Sequence, residues 1–344
     1  MRVKAAWVVA AAAIIAAAMR VFSGIQPTGQ KHFGNYSGGF RQYAATQEAG
    51  EAFFCIVDLH SITAPHDPEG LREATLDLAA MLIATGIDPQ RSTMFVQSQV
   101  PAHAEGAWLL GSVTAFGELR RMTQFKEKAE QQEFVSAALF NYPVLQAADI
   151  LLYQTDKVPI GEDQRQHLEL ARDVAERFNA RFGETFKLPE GIYPETGARI
   201  MDLQEPERKM STTGGTPQGT IGLLDPPDTI RRKVRSSVTD SGKDIVRSDE
   251  KPGITNLIDI MSVATGEAPA AIEERYDGRG YGAFKEDVAE AVVALLDPIR
   301  LRYGELRGSP GELRAVLARG ARKAEEVAAE TLALAYDRVG FVRR

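Results

Sequence analysis

The stretch Arg20 to Asn35, RVFSGIQPTGQKHFGN, constrains the fold more than any other. It opens as a short apolar run, Val21-Phe22, and breaks at Ser23-Gly24. A polar loop holding Pro27 and Gly29 follows and closes on His32-Phe33-Gly34-Asn35. Tyr36 to Gln47 then has the pattern of a helix. The order is buried strand, glycine-containing loop, helix start. Such a loop suits an anion, because unpaired N–H groups and the positive end of the helix dipole face one spot. Gly34 removes a side chain where a ligand would approach the backbone, and His32 and Asn35 offer donors beside it. Many α/β proteins share this order, and simple packing would also explain it.

The chain beyond this unit repeats the pattern. Glu51 to Leu59 (EAFFCIVDL) is continuously apolar, as a buried parallel strand requires. Leu71 to Thr85 is apolar at helical spacing and stops at Gly86, and Ser92 to Gln97 reads as another strand. Strand, helix, strand with short links predicts an α/β fold: a parallel sheet with helices on both faces. Ligands on such sheets sit at the C-terminal strand ends, near the switch point. The loop after Phe22 and His60 both fall there. From about Gly222 strand signals fade. Thr229–Val238, Ile254–Thr265, Ala270–Tyr276, Ala283–Leu306 and Gly311–Arg338 read as helices separated by Pro, Gly and Asp. The expected division is a sheet-based domain over 19–221 and an all-helical domain over 222–344, its last helix packing back on the first.

Composition sets a few bounds. The one cysteine, Cys55, cannot form an internal disulfide and reads as a small core residue. No Cys/His cluster has zinc-site spacing, so no structural metal is expected. With 40 Lys+Arg against 47 Asp+Glu, the net charge is −7, which does not advertise nucleic-acid binding. The densest basic cluster, Arg231-Arg232-Lys233 with Arg235, is either a solvated helix face or a phosphate contact. Residues 1–18 have the shape of a signal-peptide n-region and h-region, too short to span a bilayer comfortably. Met19, directly before RVFSG, is the expected initiator, with 1–18 an upstream extension of no function.

Three further places carry candidate chemistry. Asp149 stands in a run otherwise apolar from Ala147 to Leu152, so its carboxylate must be paired or used. Gln146, three residues earlier, shares its helix face. Gly161-Glu162-Asp163-Gln164 follows a short apolar run and opens a helix; the dipole alone would favour acidic residues there. Lys209-Met210-Ser211-Thr212-Thr213 precedes Gly214-Gly215, as a mobile loop would.

Taken together, HFGN at His32 and KMSTT at Lys209 resemble the His-x-Gly-His and Lys-Met-Ser-Lys-Ser signatures of class I aminoacyl-tRNA synthetases. FSGIQPTG, GELRRMTQFKEK, YPVLQAADILLY, VPIGEDQRQH and GARIMDL resemble the bacterial tryptophanyl-tRNA synthetase family. The resemblance runs from about Met19 to the C-terminus. It implies a Rossmann-like nucleotide-binding sheet, a helical anticodon-binding domain, a cytoplasmic homodimer, and ATP with Mg²⁺, L-tryptophan and tRNA(Trp) as substrates; neither DNA nor a membrane is implied. The implied reaction makes tryptophanyl-adenylate and pyrophosphate, then transfers the aminoacyl group to the 3′ end of the tRNA. The first step needs in-line positioning and positive charge on the triphosphate rather than a protein nucleophile.

Carried over residue by residue, the resemblance implies that Gln26, Pro27, Thr28, His32, Gly34 and Asn35 hold adenine and phosphates. Gly161, Glu162, Asp163 and Gln164 would bind the nucleotide, and Ile200 would pack on adenine. Lys209, with Met210, Ser211, Thr212 and Thr213, would close over the phosphates. Lys209, Ser211, Asn35, His32 and Lys128 are the implied catalytic set. Asp149 would accept the indole N–H, with Gln146, Tyr142, His60, Phe22 and Val57 around it. Gln146 stands where methionine is usual; it either rearranges substrate contacts or bonds a neighbouring side chain. Thr212 replaces the second signature lysine, and losing such a contact costs roughly hundredfold or more in rate. Lys126 and Lys128 are the expected compensators. Two other readings stand beside this one: a tyrosyl-tRNA synthetase, which shares the signatures, and a paralogue that binds but no longer charges tRNA.

Overall fold

The computed structural model describes residues 19–48, 50–130, 133–193, 199–211 and 215–342, with the backbone alone at Glu162. Segment 1–18, Thr212, Thr213 and Gly214 lie outside the described residues.

The described chain is built on a five-stranded parallel sheet. Its strands are β1 (Arg20–Ile25), β2 (Glu51–Ile56), β3 (Thr93–Val96), β4 (Lys157–Pro159) and β5 (Glu190–Ile192). The order is β3-β2-β1-β4-β5, so the chain winds outward to β3 and then crosses to the other side of β1. That reversal puts the switch point between β1 and β4, with the crevice at their C-terminal ends.

In helical terms, α1 runs over 33–46 through a π turn at Tyr36–Phe40 that contains Gly38-Gly39. Then come α2 (Asp58–Ser61), α3 (Pro68–Ala84), α4 (Ala102–Gly111), α5 (Phe116–Arg121), α6 (Thr123–Glu130), α7 (Ala137–Leu151) and α8 (Arg165–Phe182). After β5 the described elements are helical: α9 (Pro227–Arg235), α10 (Pro252–Thr265), α11 (Pro269–Arg275), α12 (Tyr281–Gly308) and α13 (Pro310–Val339).

Two boundaries differ from the sequence reading. β1 continues through Ser23-Gly24 to Ile25, because Gly24 pairs with Cys55 in register. β2 stops at Ile56 rather than Leu59, and Asp58–Ser61 wind into α2, whose Asp58 carboxylate accepts from Ser98 N and Oγ. The turn swings His60 under the strand ends. β5 was not anticipated; three half-exposed residues show no period.

Side chains of β2 alternate between two cores. Phe54 and Ile56 join Met94, α3 and the helical region, whereas Phe53 and Cys55 join Phe22, Phe95, α7 and α8. The register Phe22↔Phe53 aligns the second face across strands. Both faces are covered, which is why the strands read as unbroken apolar runs. Cys55 is fully buried and burial pushes its thiol up, so it packs as a small apolar residue.

The edge at β3 is closed by α13. Leu313 and Leu317 of that helix enter one core, and Ala321, Ala324 and Ala328 enter the other. Small residues let helix and strand approach closely: a Cβ on Gly320 would lie 1.9 Å from the Met94 carbonyl oxygen. Lys323 pairs with Glu51 (3.1 Å), which also holds Arg20 (3.0 Å), tying α13 to the start of the sheet. On the other side Arg307 of α12 pairs with Glu73 and Asp77 of α3. Gly320→Val should therefore force α13 off β3 and destabilise the protein by about 2 kcal/mol or more. A denaturant titration of both proteins measures this, and Gly311→Ala, in open space, should leave the midpoint nearly unchanged.

Candidate active site at the switch point

A cavity of about 390 Å³ opens between β1 and β4 at the strand ends. Phe22, Val57, His60, Tyr142, Gln146 and Asp149, the residues expected around an amino acid, all line it. So do Gln26, Thr28, Gly161 and Gln164 from the expected nucleotide set. β1 and β4 deliver Phe22 and the loop before Gly161; α7 delivers Tyr142, Gln146 and Asp149 one turn apart. Pro27 borders a neighbouring hollow instead.

The deepest wall is a carboxylate. Asp149 is 1 % exposed. Its Oδ1 accepts from Gln97 Nε2 (2.7 Å) and lies 2.6 Å from His103 Nδ1, and its Oδ2 lies 2.8 Å from His60 Nε2. His103 Nε2 in turn meets the Tyr153 hydroxyl at 2.8 Å. With Nδ1–H donating to Asp149, His103 Nε2 accepts from Tyr153 O–H, so one tautomer satisfies both contacts. Burial alone would raise the Asp149 carboxyl; the hydrogen bonds from His103 and His60 and their nearby charge hold it well below the usual carboxylate range. A carboxylate has about four lone-pair sites, and three are filled, which leaves one acceptor on a residue that lines the cavity.

Gln97 and His103 did not emerge from the sequence. Gln97 looked like the end of a strand, and His103 stands in a helix among small residues. Both signals, a lone polar residue closing an apolar strand and a histidine on a buried helix face, fit ordinary core residues as well. Gln146 donates from Nε2 to Gln164 Oε1 (3.3 Å) while still lining the cavity. Gln164 also donates to Asp163 Oδ2 (2.9 Å). A Cβ at Gly161 would meet Asp163 Oδ1 at 2.7 Å, so a larger residue there would have to push the Asp163 side chain aside.

Backbone bridges pin each signature stretch, the first to 221–223 and the second to 200–201. His32 pairs with Gly222, with Phe33 N–H donating to Ile221 O and Leu223 N–H to Lys31 O. Met201 pairs with Lys209, and Met210 N–H donates to Ile200 O. A Cβ at Gly34 would lie 3.8 Å from Met210 Cβ. Asn35 caps the turn, its Oδ1 accepting from His32 N (3.0 Å). His32 is buried, its Nδ1 has no partner, and its pKa falls to about 4 through burial, then through Lys209 and Lys31. Lys209 is exposed; the Ser211 carbonyl accepts from Thr220 Oγ1 (2.9 Å). Ile200 is buried in the core and, with its carbonyl taken by Met210, does not line the cavity.

The basic cluster on α9 divides. Lys233 is buried, donating to Thr220 O and Asp225 Oδ2, both at 2.7 Å, so it braces the 220–225 turn rather than facing solvent. Arg231 is engaged by Glu290 and Asp228, leaving Arg232 and Arg235 as the exposed pair. Lys128 on α6 stands 5.0 Å over the Tyr142 ring, and Lys126 is exposed. Among the described residues, no cluster of His, Cys, Asp and Glu is arranged to hold a metal ion.

This geometry has close counterparts. Residues 16–297 match the family model described as tRNA synthetases class I (W and Y). The chain belongs to that family. It is 54% identical over 328 residues to tryptophan–tRNA ligase 2 of Streptomyces avermitilis, covering 94% of this chain and 97% of the relative. It is 51% identical to the tryptophan–tRNA ligase of Caldanaerobacter subterraneus, covering 94% and 99%. The tryptophanyl-tRNA synthetase of Mycoplasma pneumoniae superposes with a TM-score of 0.85 at 35% identity, covering 94% of this chain and 98% of that one. That of Campylobacter jejuni, solved with ADP and tryptophan, gives 0.82 at 37%, covering 94% and 100%.

For a class I synthetase the two histidines whose pKa is lowered, His32 and His167, have a thermodynamic consequence. His167 lies 2.8 Å from the Tyr142 hydroxyl, and its pKa is lowered to about 4 by burial and then by Lys128, against a smaller opposing effect of Asp163. Above the ordinary histidine value of 6.5 the folded and unfolded chains hold the same protons here. Below it the unfolded chain binds protons that the folded one refuses, so stability falls until about pH 4. Thermal midpoints recorded from pH 7 to pH 4 should show this decline, with a shallower slope for His167→Gln.

Proposed function

We propose that the protein activates L-tryptophan with MgATP, forming tryptophanyl-adenylate and pyrophosphate, and then charges tRNA(Trp). The observation that carries this reading is Asp149: a buried, ionised acceptor at the floor of a cavity whose walls are Phe22, Val57, His60 and Tyr142. An indole N–H meets its remaining lone pair. A substrate without that donor leaves a buried acceptor unpaired, which is a strong source of selectivity. The relatives that share half of this sequence are named for the same amino acid.

On this reading the nucleotide lies along the loop 26–35, with adenine toward Gly161, and Lys209 and Lys128 supply charge to the triphosphate. Ser211 and Asn35 hold the loops in which they stand. Mg²⁺ arrives with ATP as part of the substrate. Exposed Arg232 and Arg235 of α9 are placed to meet the tRNA backbone. The protein works in the cytoplasm, where ATP and tRNA are found; among the described residues no helix is long and apolar enough to cross a membrane.

A homodimer completes the proposal. Trp108 is 86 % exposed, and it borders an apolar hollow with Leu59, Ile62, Val144 and Leu145. Exposed Phe116 and Phe134 extend the apolar surface of this domain. A second copy seated there would cover surface that monomers rarely leave in contact with water.

Amino-acid-dependent pyrophosphate–ATP exchange tests the activation step. Exchange should appear with tryptophan and not with tyrosine, and Asp149→Asn should lower kcat/KM for tryptophan by about hundredfold or more. Exchange with tyrosine would overturn the assignment. Trp108→Arg should convert a dimer to a monomer in light scattering; an unchanged dimer would place the interface elsewhere.

A further inference from the structure

The second signature lacks its second lysine, and the cavity contains a cation to which the family resemblance gives no role. Lys31 stands in the loop between β1 and α1 and lines the cavity beside Gln26 and Thr28. Its ammonium donates to Thr28 O (2.7 Å) and Gln26 O (3.2 Å). An ammonium has three donors, so one remains for a ligand. No carboxylate pairs with it among the described residues, and burial lowers its pKa to about 8. A half-buried cation without a carboxylate partner favours an anion beside it.

The neighbouring charges give the direction. Lys209 and Lys31 both help lower the pKa of the His32 imidazole, so each signature stretch brings a cation near that ring. Lys31 also borders the hollow formed by Pro27, Gly222 and Asp225, next to the bridge from His32 to Gly222. Of the compensators expected from sequence, Lys126 is exposed and Lys128 stands over the Tyr142 ring; neither lines the cavity as Lys31 does.

We propose that Lys31 takes over the phosphate contact of the missing second signature lysine, binding the triphosphate of MgATP and the pyrophosphate as it leaves. The proposal rests on the ligase reading above. The bond from the α-phosphorus to the bridging oxygen breaks as the tryptophan carboxylate attacks, and the negative charge that gathers on pyrophosphate meets the Lys31 ammonium. No proton need move.

Two measurements test it. In the first, ATP and adenosine are titrated into the wild type, Lys31→Met and Lys31→Arg by calorimetry. Lys31→Met should weaken ATP by about tenfold or more while adenosine changes less than about twofold, and Lys31→Arg should stay within about threefold for both. A lysine that only staples the loop would shift ATP and adenosine together, and that result, or unchanged ATP binding, overturns the proposal. In the second, tryptophan-dependent exchange should fall about hundredfold in Lys31→Met. Thr212→Lys should then recover at least about tenfold in that background. Failure of Thr212→Lys to rescue would also overturn it. A wild type that exchanges nothing, yet loses ATP affinity selectively on Lys31→Met, would sink the ligase reading and leave the phosphate contact standing.

Discussion

The buried carboxylate of Asp149 fixes the rest of the site. An unpaired carboxylate in that apolar layer would cost several kcal/mol or change its protonation. Here donors arrive from separate elements: Gln97 from the end of β3, His60 from α2 and His103 from α4. Hydrogen bonds to a charged group are worth roughly 1.5–3 kcal/mol each, so the network offsets the burial only when all of these elements are in place. The short turn of α2 and the position of α4 follow from that demand. The same interactions that hold the fold together leave one acceptor position on a residue that lines the cavity, so specificity and local stability have one origin.

A second dependence concerns the signature stretches, which stand almost 180 residues apart in the chain, His32 against Lys209. Each is pinned by backbone pairing, His32 with Gly222 and Lys209 with Met201. Lys233 braces the 220–225 turn by donating to Thr220 O and Asp225. The helical region is equally bound to the sheet, since α13 contributes to both cores and covers the β3 edge that would otherwise offer unpaired backbone groups.

Much of this was legible before any coordinates. Continuous apolar runs announced a parallel sheet covered on both faces, and the motif set announced the family. Asp149 was legible as a carboxylate with work to do, because an apolar run tolerates one only if it is paired. The misses share a cause. Gln97, His103 and Lys31 act through partners 30 to 50 residues away or through a loop's own carbonyls, and no local period marks such contacts. Lys233 was misplaced on a basic surface because a run of like charges says nothing about which member turns inward; the helix phase against Thr220 decided that.

The sequence by itself determined the element types, the sheet's parallel character, the family and the residue kinds that the site must use. These depend on hydrophobic period, glycine placement and fixed spacing, which are local properties of the chain. Only the tertiary structure decided which polar groups meet. Strand order set the switch point between β1 and β4, and the crossover brought His60 and His103 to opposite oxygens of Asp149. The physical reason is that a buried charge is satisfied by geometry in three dimensions, and that geometry is written in the packing of whole elements rather than in any one stretch.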